Sequence, residues 1–317
     1  MSEVNKILKK AGGKKLLYQY WKSGVFGFAI IESLLLGFSK KALEILRLSI
    51  QYKMYIKIRK KYQYLLDRCN DIDYESLPKK KSNKVWVCWL QGMENAPLVV
   101  QRCYESLHKH LKDRDIVLLT LNNIGEYITF PKYIIDKREK GIISNTHFSD
   151  LLRIELLVNY GGTWIDSTVL CTSSNVPEYI FNSDLFFYQT LKPGRDGHSI
   201  GLSSWFISAT TNNKILLITR ELLYEYWLKN NSLIDYFLLH IFICIVCEKY
   251  PDEQKKIIKF SNSIPHILQL DLFDSFDEKK YEAIKQMTCF HKLSYKFEKE
   301  LLEKEGTFYD IVIHKKR

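Results

Sequence analysis

The order of helix, turn and strand is clearest at residues 145–166, which read NTHFSDLLRIELLVNYGGTWID. Three leucines are spaced to share one helix face, namely Leu152, Leu156 and Leu157. The pair Gly161-Gly162 favours the end of that helix, because glycine readily adopts the backbone that closes one. The residues that follow predict a short strand over 163–166. This stretch therefore predicts a strand that ends in a carboxylate, Asp166.

The residues before this stretch predict the start of a sheet. Residues 85–90 form a continuous run of apolar and β-favouring side chains, which is typical of a buried parallel strand. Pro97 suits the first turn of a helix that we expect to reach about residue 111, and residues 115–120 predict a second buried strand. A strand, a helix and a strand in this order predict a right-handed βαβ unit in an open α/β sheet. Further strands are expected over 185–189 and 205–209, and further helices over 132–140, 214–229 and 235–249.

The chain of 317 residues carries a net charge of +11, and the whole excess lies in residues 1–84. Residues 77–83 (LPKKKSN) have the proline, charge run and small polar residues of a linker. We therefore expect a basic helical segment over residues 1–82 and an α/β domain over residues 83–317. The most apolar stretch, residues 24–38, is too short to span a bilayer, which takes about 20 residues.

Residues 40–66 lack glycine and proline and predict one long basic helix. Its basic cluster consists of Lys53, Lys57, Arg59, Lys60 and Lys61. The opposite, apolar face is expected to hold Ile45, Leu48, Tyr52, Tyr55 and Ile58. Such a helix is typical either of a layer packed on the adjoining domain or of a surface that lies on anionic lipid. A nucleic-acid partner is not expected, because no nucleic-acid motif accompanies the charge.

The seven cysteines show no spacing typical of a disulfide framework or of a zinc site. Cys244 and Cys247 form a C-x-x-C pair inside an apolar run, which favours a buried helix face. The N-terminus shows no small-residue cleavage site of a secretory signal. These features predict reduced thiols and a cytoplasmic protein.

Ligands of open α/β sheets bind beyond the carboxyl ends of the strands, and several polar residues are expected there. The carboxylate of Asp166 is placed to hold a divalent cation against a diphosphate. Gln91 and Gly92 follow the first predicted strand and are expected at the same edge. Asp150 and Arg153 lie three residues apart on a helix, so they form either an ordinary ion pair or part of the site.

The residues Ser149-Asp150-Leu151-Leu152-Arg153, Tyr160-Gly161-Gly162 and Asp166 resemble the core of glycosyltransferase family 32. That family carries Ser-Asp-x-x-Arg, Tyr-Gly-Gly and Asp-x-Asp in this order. The chain resembles the bacterial capsular polysaccharide synthesis proteins more closely, through WVCWLQG at 86–92 and HKLSYK at 291–296 as well. The resemblance covers about residues 85–296. It implies a GT-A-like open mixed sheet flanked by helices and a nucleotide-sugar donor, a UDP-sugar.

The resemblance also implies roles for single residues in donor binding. Asp150 and Arg153 would hold hydroxyl groups of the donor sugar, and Lys296 would contact the diphosphate. Trp86 and Trp89 lie three apart on the first strand, so they face opposite sides. One of them is expected in the core, and Trp89, nearer the end of the strand, is expected to stack on the nucleotide base.

A divalent cation, Mn²⁺ or Mg²⁺, is implied as the cofactor of such an enzyme. Asp166 and His291 would be its ligands from the protein. The second acid of the Asp-x-Asp signature is replaced here by Thr168, whose neutral hydroxyl is a poorer ligand for a hard cation. Metal dependence therefore follows less directly from the sequence than glycosyl transfer does.

Together these features predict a retaining hexosyltransferase that moves a sugar to a lipid-linked capsular or surface-polysaccharide intermediate. Such an enzyme is expected to lie peripherally on the inner face of the cell membrane, with an anionic lipid surface as a partner. No residue is assigned as a nucleophile. Two alternatives stay open. One is a phosphotransferase that decorates the same glycan, and the other is a catalytically inactive scaffold, which the replacement at Thr168 would suit.

Overall fold

The computed structural model describes residues 13–191 and 200–315, and its strands form one mixed sheet and one small separate pair. In chain order the strands are β1 (Lys84–Cys88), β2 (Asp115–Leu119), β3 (Gly162–Ile165), β4 (Val169–Cys171), β5 (Leu185–Gln189), β6 (Leu202–Ala209) and β7 (Phe290–Lys292). The five-stranded sheet has the order β2-β1-β3-β6-β5. β1 is parallel to β2 and β3, whereas β6 is antiparallel to β3 and β5. The predicted open mixed α/β sheet is confirmed.

Helices flank this sheet, and the helices that precede β1 in the chain form a separate layer. In chain order they are α1 (Gly13–Lys22), α2 (Phe26–Leu36), α3 (Lys40–Arg68), α4 (Leu98–His110), α5 (Ile124–Tyr127), α6 (Lys132–Glu139), α7 (Asn145–Tyr160), α8 (Glu178–Asn182), α9 (Lys214–Lys229), α10 (Leu238–Lys249), α11 (Pro251–Lys255), α12 (Ile267–Asp271), α13 (Glu278–Met287) and α14 (Lys299–Leu302), followed by a π-helical segment, Tyr309–His314. The helix predicted from residue 235 begins later, because the Asp235 carboxylate accepts a hydrogen bond from Phe237 N at 2.7 Å and holds a turn there.

Both faces of the sheet are buried, which explains the continuous apolar runs of its parallel strands. Trp86, Trp164 and Ile207 face one side, where α3, α7, α9 and α10 complete the main core. Val87 and Ile165 face the other side and pack with α4, α8 and the β4–β7 pair. Trp86 is therefore the core tryptophan of the first strand, and its Nε1 donates a hydrogen bond to Gly161 O at 2.9 Å.

The turn from α7 into β3 depends on two glycines. Gly161 and Gly162 have φ angles of 65° and 89°, in the region that side chains other than glycine rarely adopt. A Cβ atom at Gly162 would lie 2.4 Å from the carbonyl oxygen of Lys84 in β1. The absence of a side chain thus lets β3 pass close to β1 directly after the helix, and this brings Asp166 to the edge of the sheet.

The apolar face indicated for the long helix α3 is only partly buried. Tyr55 and Ile58 are buried, whereas Ile45, Leu48 and Tyr52 are exposed. The helix carries two apolar stripes, and tertiary packing selects the stripe formed by Ile50, Met54, Ile58, Tyr62 and Leu65. Helical periodicity alone does not decide between two such stripes.

Three members of the predicted basic cluster on α3 have partners within the protein. Lys57 Nζ donates hydrogen bonds to the carbonyl oxygens of Ser23 and Gly24, each at 2.8 Å. Arg59 Nη1 lies 3.2 Å from a carboxylate oxygen of Glu248 on α10. Lys61 Nζ donates to Asn230 Oδ1 at 3.2 Å. These charges help to fix α3 to its neighbours, which fits the packed layer that the sequence left open.

Residues 1–12 of the predicted N-terminal segment lie outside the described residues, and the division of the chain at residue 82 stays a prediction. The second half of α3 shares the main core with the sheet, whereas α2 and the first half of α3 form a small cluster with Val25, Ala29, Ile50 and Met54. In the two described ranges, no helix has both the length and the apolarity that crossing a membrane requires.

Replacing Gly162 by alanine should destabilise the protein by at least about 2 kcal/mol, because it combines an unfavourable φ with a backbone collision. The free energy of unfolding, measured by denaturant titration, tests this. Gly27→Ala on α2 is the matched control, since a Cβ atom there meets nothing within 4 Å. Equal stability of both variants would show that β3 does not need this close passage.

Candidate active site

An open cavity of about 700 Å³ lies beyond the carboxyl ends of β1 and β3. This is the edge at which ligands bind in open α/β sheets. Trp89 and Gln91 line it on the β1 side, and Asp166 and Thr168 line it on the β3 side. Its other walls come from the first turns of α7, from β7 and the segment that follows it, and from Tyr236, His266 and Gln269.

Asp166 is held by two donors from neighbouring elements. Its Oδ1 accepts hydrogen bonds from Trp164 Nε1 at 2.9 Å and from Arg153 Nη2 at 3.0 Å. The Arg153 guanidinium also lies over the Trp164 ring, 4.7 Å from its centre, so the two donors stabilise each other's position. Asp166 N donates to Trp205 O at 2.8 Å and continues the β3–β6 pairing beyond the strand. The side chain is 30% exposed, so a rigidly held carboxylate borders the cavity.

Asp150 lies beneath Arg153 and does not line the cavity. Its Oδ1 accepts a hydrogen bond from Arg153 Nη1 at 2.5 Å, and its Oδ2 lies 3.4 Å from His147 Nδ1. Burial by itself would raise the pKa of Asp150, but Arg153 and His147 outweigh burial, so the pKa is below the ordinary value. The structure therefore brings Asp150, Arg153 and Asp166 into one chain of contacts, but it turns Asp150 toward the protein rather than toward a donor sugar.

Lys292 faces Asp166 from the opposite wall, and the sequence did not single it out. Its Nζ donates a hydrogen bond to Thr168 Oγ1 at 2.6 Å and lies 3.8 Å from Asp166 Oδ2. It belongs to β7, where it pairs in register with Val169 of β4. The stretch at 291–296 contained a signal, but only the β4–β7 pairing shows which of its side chains points into the cavity.

His291 points to the other side of β7, because neighbouring side chains on a strand alternate. It is fully buried, and its Nε2 lies 3.0 Å from Thr172 Oγ1. Burial lowers the pKa of His291 to about 4, so its ring is neutral at pH 7. It does not line the cavity, and its predicted place beside Asp166 as a metal ligand does not fit this geometry.

The remaining predicted binding residues lie at or near the cavity. Trp89 and Gln91 line it, and the Trp89 ring meets the Tyr295 ring edge to face with centres 5.4 Å apart. Trp89 Nε1 is buried without a hydrogen-bond partner among residues 13–191 and 200–315. Lys296 lies at the exposed rim, and Gly92 belongs to a smaller adjoining pocket. An aromatic pair thus borders the end of the cavity next to β1.

The cysteines are free thiols, as their spacing indicated. Cys88 lines the cavity, but burial raises its pKa to about 12, so the thiol is protonated at neutral pH and is not a nucleophile. Cys244 and Cys247 pack into α10, and burial raises both pKa values, that of Cys244 to about 11. The C-x-x-C pair is therefore part of the core.

The donor set around Asp166 does not fit Mn²⁺ or Mg²⁺. Two hydrogen bonds occupy Oδ1, and Oδ2 faces the Lys292 ammonium. The Thr168 hydroxyl, at the position of the second signature acid, accepts a hydrogen bond from the same ammonium. Hard divalent cations require several free oxygen ligands. No group of three or more His, Cys, Asp or Glu within the described ranges could hold a metal ion.

Comparisons with known proteins give one family match and two more distant likenesses. A family model described as capsular polysaccharide synthesis protein matches residues 38–312. The glycosyltransferase afumC of Aspergillus fumigatus is 28% identical over 108 residues, which are 31% of this chain and 27% of that protein. The chain therefore matches only about a quarter of that relative's length. Among solved structures, the PaToxG glycosyltransferase is similar over 76% of this chain and 95% of its own, with 14% identity and a TM-score of 0.37.

Removing the carboxylate in Asp150→Ala should destabilise the protein by about 3–5 kcal/mol, because it leaves the Arg153 charge buried with one partner fewer. Asp252→Ala is the matched control, because it removes an exposed ion pair with Lys255, also three residues apart, and should change stability little. Denaturant titration gives both free energies of unfolding. The lowered pKa means that Asp150 stabilises the fold above the ordinary carboxyl pKa of 3.8, and this contribution is lost as the pH falls below it. A small, pH-independent effect would contradict the buried pairing.

Proposed function

The chain belongs to the capsular polysaccharide synthesis protein family, and on this premise we propose that it is a glycosyltransferase that moves a hexose from a nucleoside diphosphate sugar to a glycan acceptor. The observation that carries the proposal is the carboxylate of Asp166 in an open cavity at the edge of the sheet, with Lys292 3.8 Å from it and Lys296 at the rim of the same cavity. Two lysines along one wall suit a diphosphate, because they offset the charge of its oxygens.

The shape of the cavity supports one orientation of the donor. Trp89 and Tyr295 would contact the nucleotide base, since the flat face of a base packs well against aromatic side chains. The resemblance to family 32 implies that this base is uracil. Asn145, Thr146 and Ser149 line the cavity from the first turns of α7 and would offer hydrogen bonds to sugar hydroxyls. Polar groups of this kind fix the orientation of a sugar without adding charge.

The reaction would break the bond between the anomeric carbon and the diphosphate oxygen and form a bond from that carbon to the acceptor oxygen. The acceptor hydroxyl proton would leave with the nucleoside diphosphate. Negative charge grows on the diphosphate as the first bond breaks, and the lysines of the wall would stabilise it most at that stage. Arg153 would act by holding Asp166, which it contacts at 3.0 Å. Retention of configuration follows from the resemblance to family 32.

A lipid-linked acceptor on the inner face of the cell membrane fits the exposed surface of the N-terminal helices. On α2, Ile30, Ile31, Leu34 and Leu35 are all exposed, and their spacing places them on one face. Other exposed apolar side chains of this layer are Leu17, Tyr18, Trp21, Phe38, Ile45, Leu48, Tyr52 and Ile56.

With 11 residues α2 is too short to cross a bilayer, so it would lie along the headgroup region rather than across it. Lys40 and Lys41 at the start of α3 are exposed and would meet anionic headgroups. Since Lys57, Arg59 and Lys61 have partners in the protein, we propose that apolar insertion of α2, more than the basic cluster, holds the protein on the membrane.

Asp166→Asn should lower kcat by about 100- to 1000-fold, because it removes a fixed charge at the reacting groups with almost no change in volume. The assay is transfer and hydrolysis with a panel of nucleotide sugars, followed by detection of the released nucleoside diphosphate. Thermal unfolding of the variant serves as the control for folding. Parental turnover would place the reaction elsewhere, phosphoryl transfer would support a phosphotransferase, and no turnover by the parent with any donor would support a scaffold.

The double variant Leu34→Gln, Leu35→Gln should reduce binding to vesicles of phosphatidylcholine and phosphatidylglycerol at least about tenfold, because each leucine loses its apolar contact with lipid. Leu270→Gln is the matched control, since Leu270 is 79% exposed, as compared with 78% for Leu35, but lies on α12. Co-sedimentation measures the binding. We expect high salt to weaken the binding of the parent without abolishing it. Equal binding of all three proteins would exclude α2 as the lipid contact.

A further inference from the structure

We infer that Lys292 supplies, at the donor diphosphate, the positive charge that a divalent cation would otherwise provide. The inference rests on the proposed glycosyl transfer and assigns a residue and a metal requirement to the same cavity. The residues around Asp166 do not offer a metal ion the free oxygen ligands that it needs. The two positions of the acidic signature, Asp166 and Thr168, both face one ammonium group.

The position of Lys292 is set by main-chain pairing. Lys292 lies opposite Val169 in the β4–β7 pair, and Leu293 N donates a hydrogen bond to Thr168 O at 2.9 Å just beyond it. The strand therefore holds the lysine backbone against the turn that carries the signature. A charge that is held in place before the ligand arrives stabilises a transition state without further reorganisation.

The hydrogen bonds of the ammonium leave room for a ligand. An ammonium group has three donors. Two of them are used by Thr168 Oγ1 at 2.6 Å and by Leu293 O at 3.1 Å. The Asp166 oxygen at 3.8 Å is beyond hydrogen-bond distance, and the lysine side chain is 20% exposed on the cavity wall. One donor therefore stays available to a phosphate oxygen.

The replacement at Thr168 has a clear effect on charge. A carboxylate at this position would pair with Lys292 and cancel its charge, whereas a hydroxyl only orients the ammonium. Asp166 is paired at 3.0 Å with Arg153, which it shares with Asp150, and its Oδ2 stays 3.8 Å from Lys292 Nζ. The Lys292 ammonium can therefore reach a phosphate oxygen through its remaining donor, and a divalent cation bound at Asp166 Oδ2 would be repelled by it.

The test measures binding of UDP, GDP and ADP to the full chain by calorimetry, with EDTA and then with Mn²⁺ or Mg²⁺. We expect one of these nucleotides to bind the parent protein equally well in EDTA. Lys292→Met should raise its Kd about 10- to 100-fold, the loss expected for a charged hydrogen bond, and Lys292→Arg should recover part of the affinity. Lys249→Met is the matched control, since that lysine has a similar exposure and pairs with Asp67 on the protein surface. Thermal unfolding of each variant checks the fold.

A second variant, which adds a negative charge beside Lys292, tests whether the charge of this lysine determines nucleotide binding. Thr168→Asp should weaken binding in EDTA, because its carboxylate would neutralise Lys292, and Mn²⁺ should restore the affinity of this variant alone. Binding by the parent only with a metal ion, together with parental affinity of Lys292→Met, would overturn the inference and leave the proposed transferase intact. Failure of all three nucleotides to bind under any condition would overturn both.

Discussion

The guanidinium of Arg153 is a positive charge inside the protein, and a charge in that position must be matched by acids that reach it. Asp150 comes from the same helix, but Asp166 comes from the end of β3, after the Gly161-Gly162 turn. Because both acids must meet one planar group, the helix, the turn and the strand end take a single arrangement. The cavity at the edge of the sheet, with Lys292 and Lys296 in its lining, lies beside the contact between Arg153 and Asp166.

The sequence predicted the parts of the molecule that depend on local patterns. The run at 85–90, the helix over 145–160 and the strand before Asp166 all lie where periodicity and glycine chemistry indicated. Features that depend on tertiary packing were missed or wrong. Because α3 carries two apolar stripes, its periodicity did not identify the buried one, and the three-residue strands β4 and β7 have too few residues to show a period. Without that pairing, the sequence could not show that Lys292, rather than His291, faces the cavity.

The N-terminal layer divides its charged and apolar groups in an unexpected way. Lys57 and Arg59 are exposed, but their charged ends contact neighbouring elements, whereas leucine and isoleucine side chains of α2 remain in contact with solvent. α2 departs from the pattern of an ordinary surface helix, in which apolar side chains face inward and polar side chains face water. Lys57 binds the carbonyl oxygens of Ser23 and Gly24 just before α2, and an exposed apolar face in that position suits a surface that meets a second apolar phase.

The β4–β7 pair joins parts of the chain that are far apart, since Thr168 and Lys292 are 124 residues distant in sequence. During synthesis the five-stranded sheet and α7 can be completed while β7 has not yet left the ribosome. Such a nascent chain would already have Asp166 in place but would lack the wall that carries the two lysines. Under the proposed function, the capacity to hold a diphosphate would therefore arise late in folding, only after β7 has paired with β4.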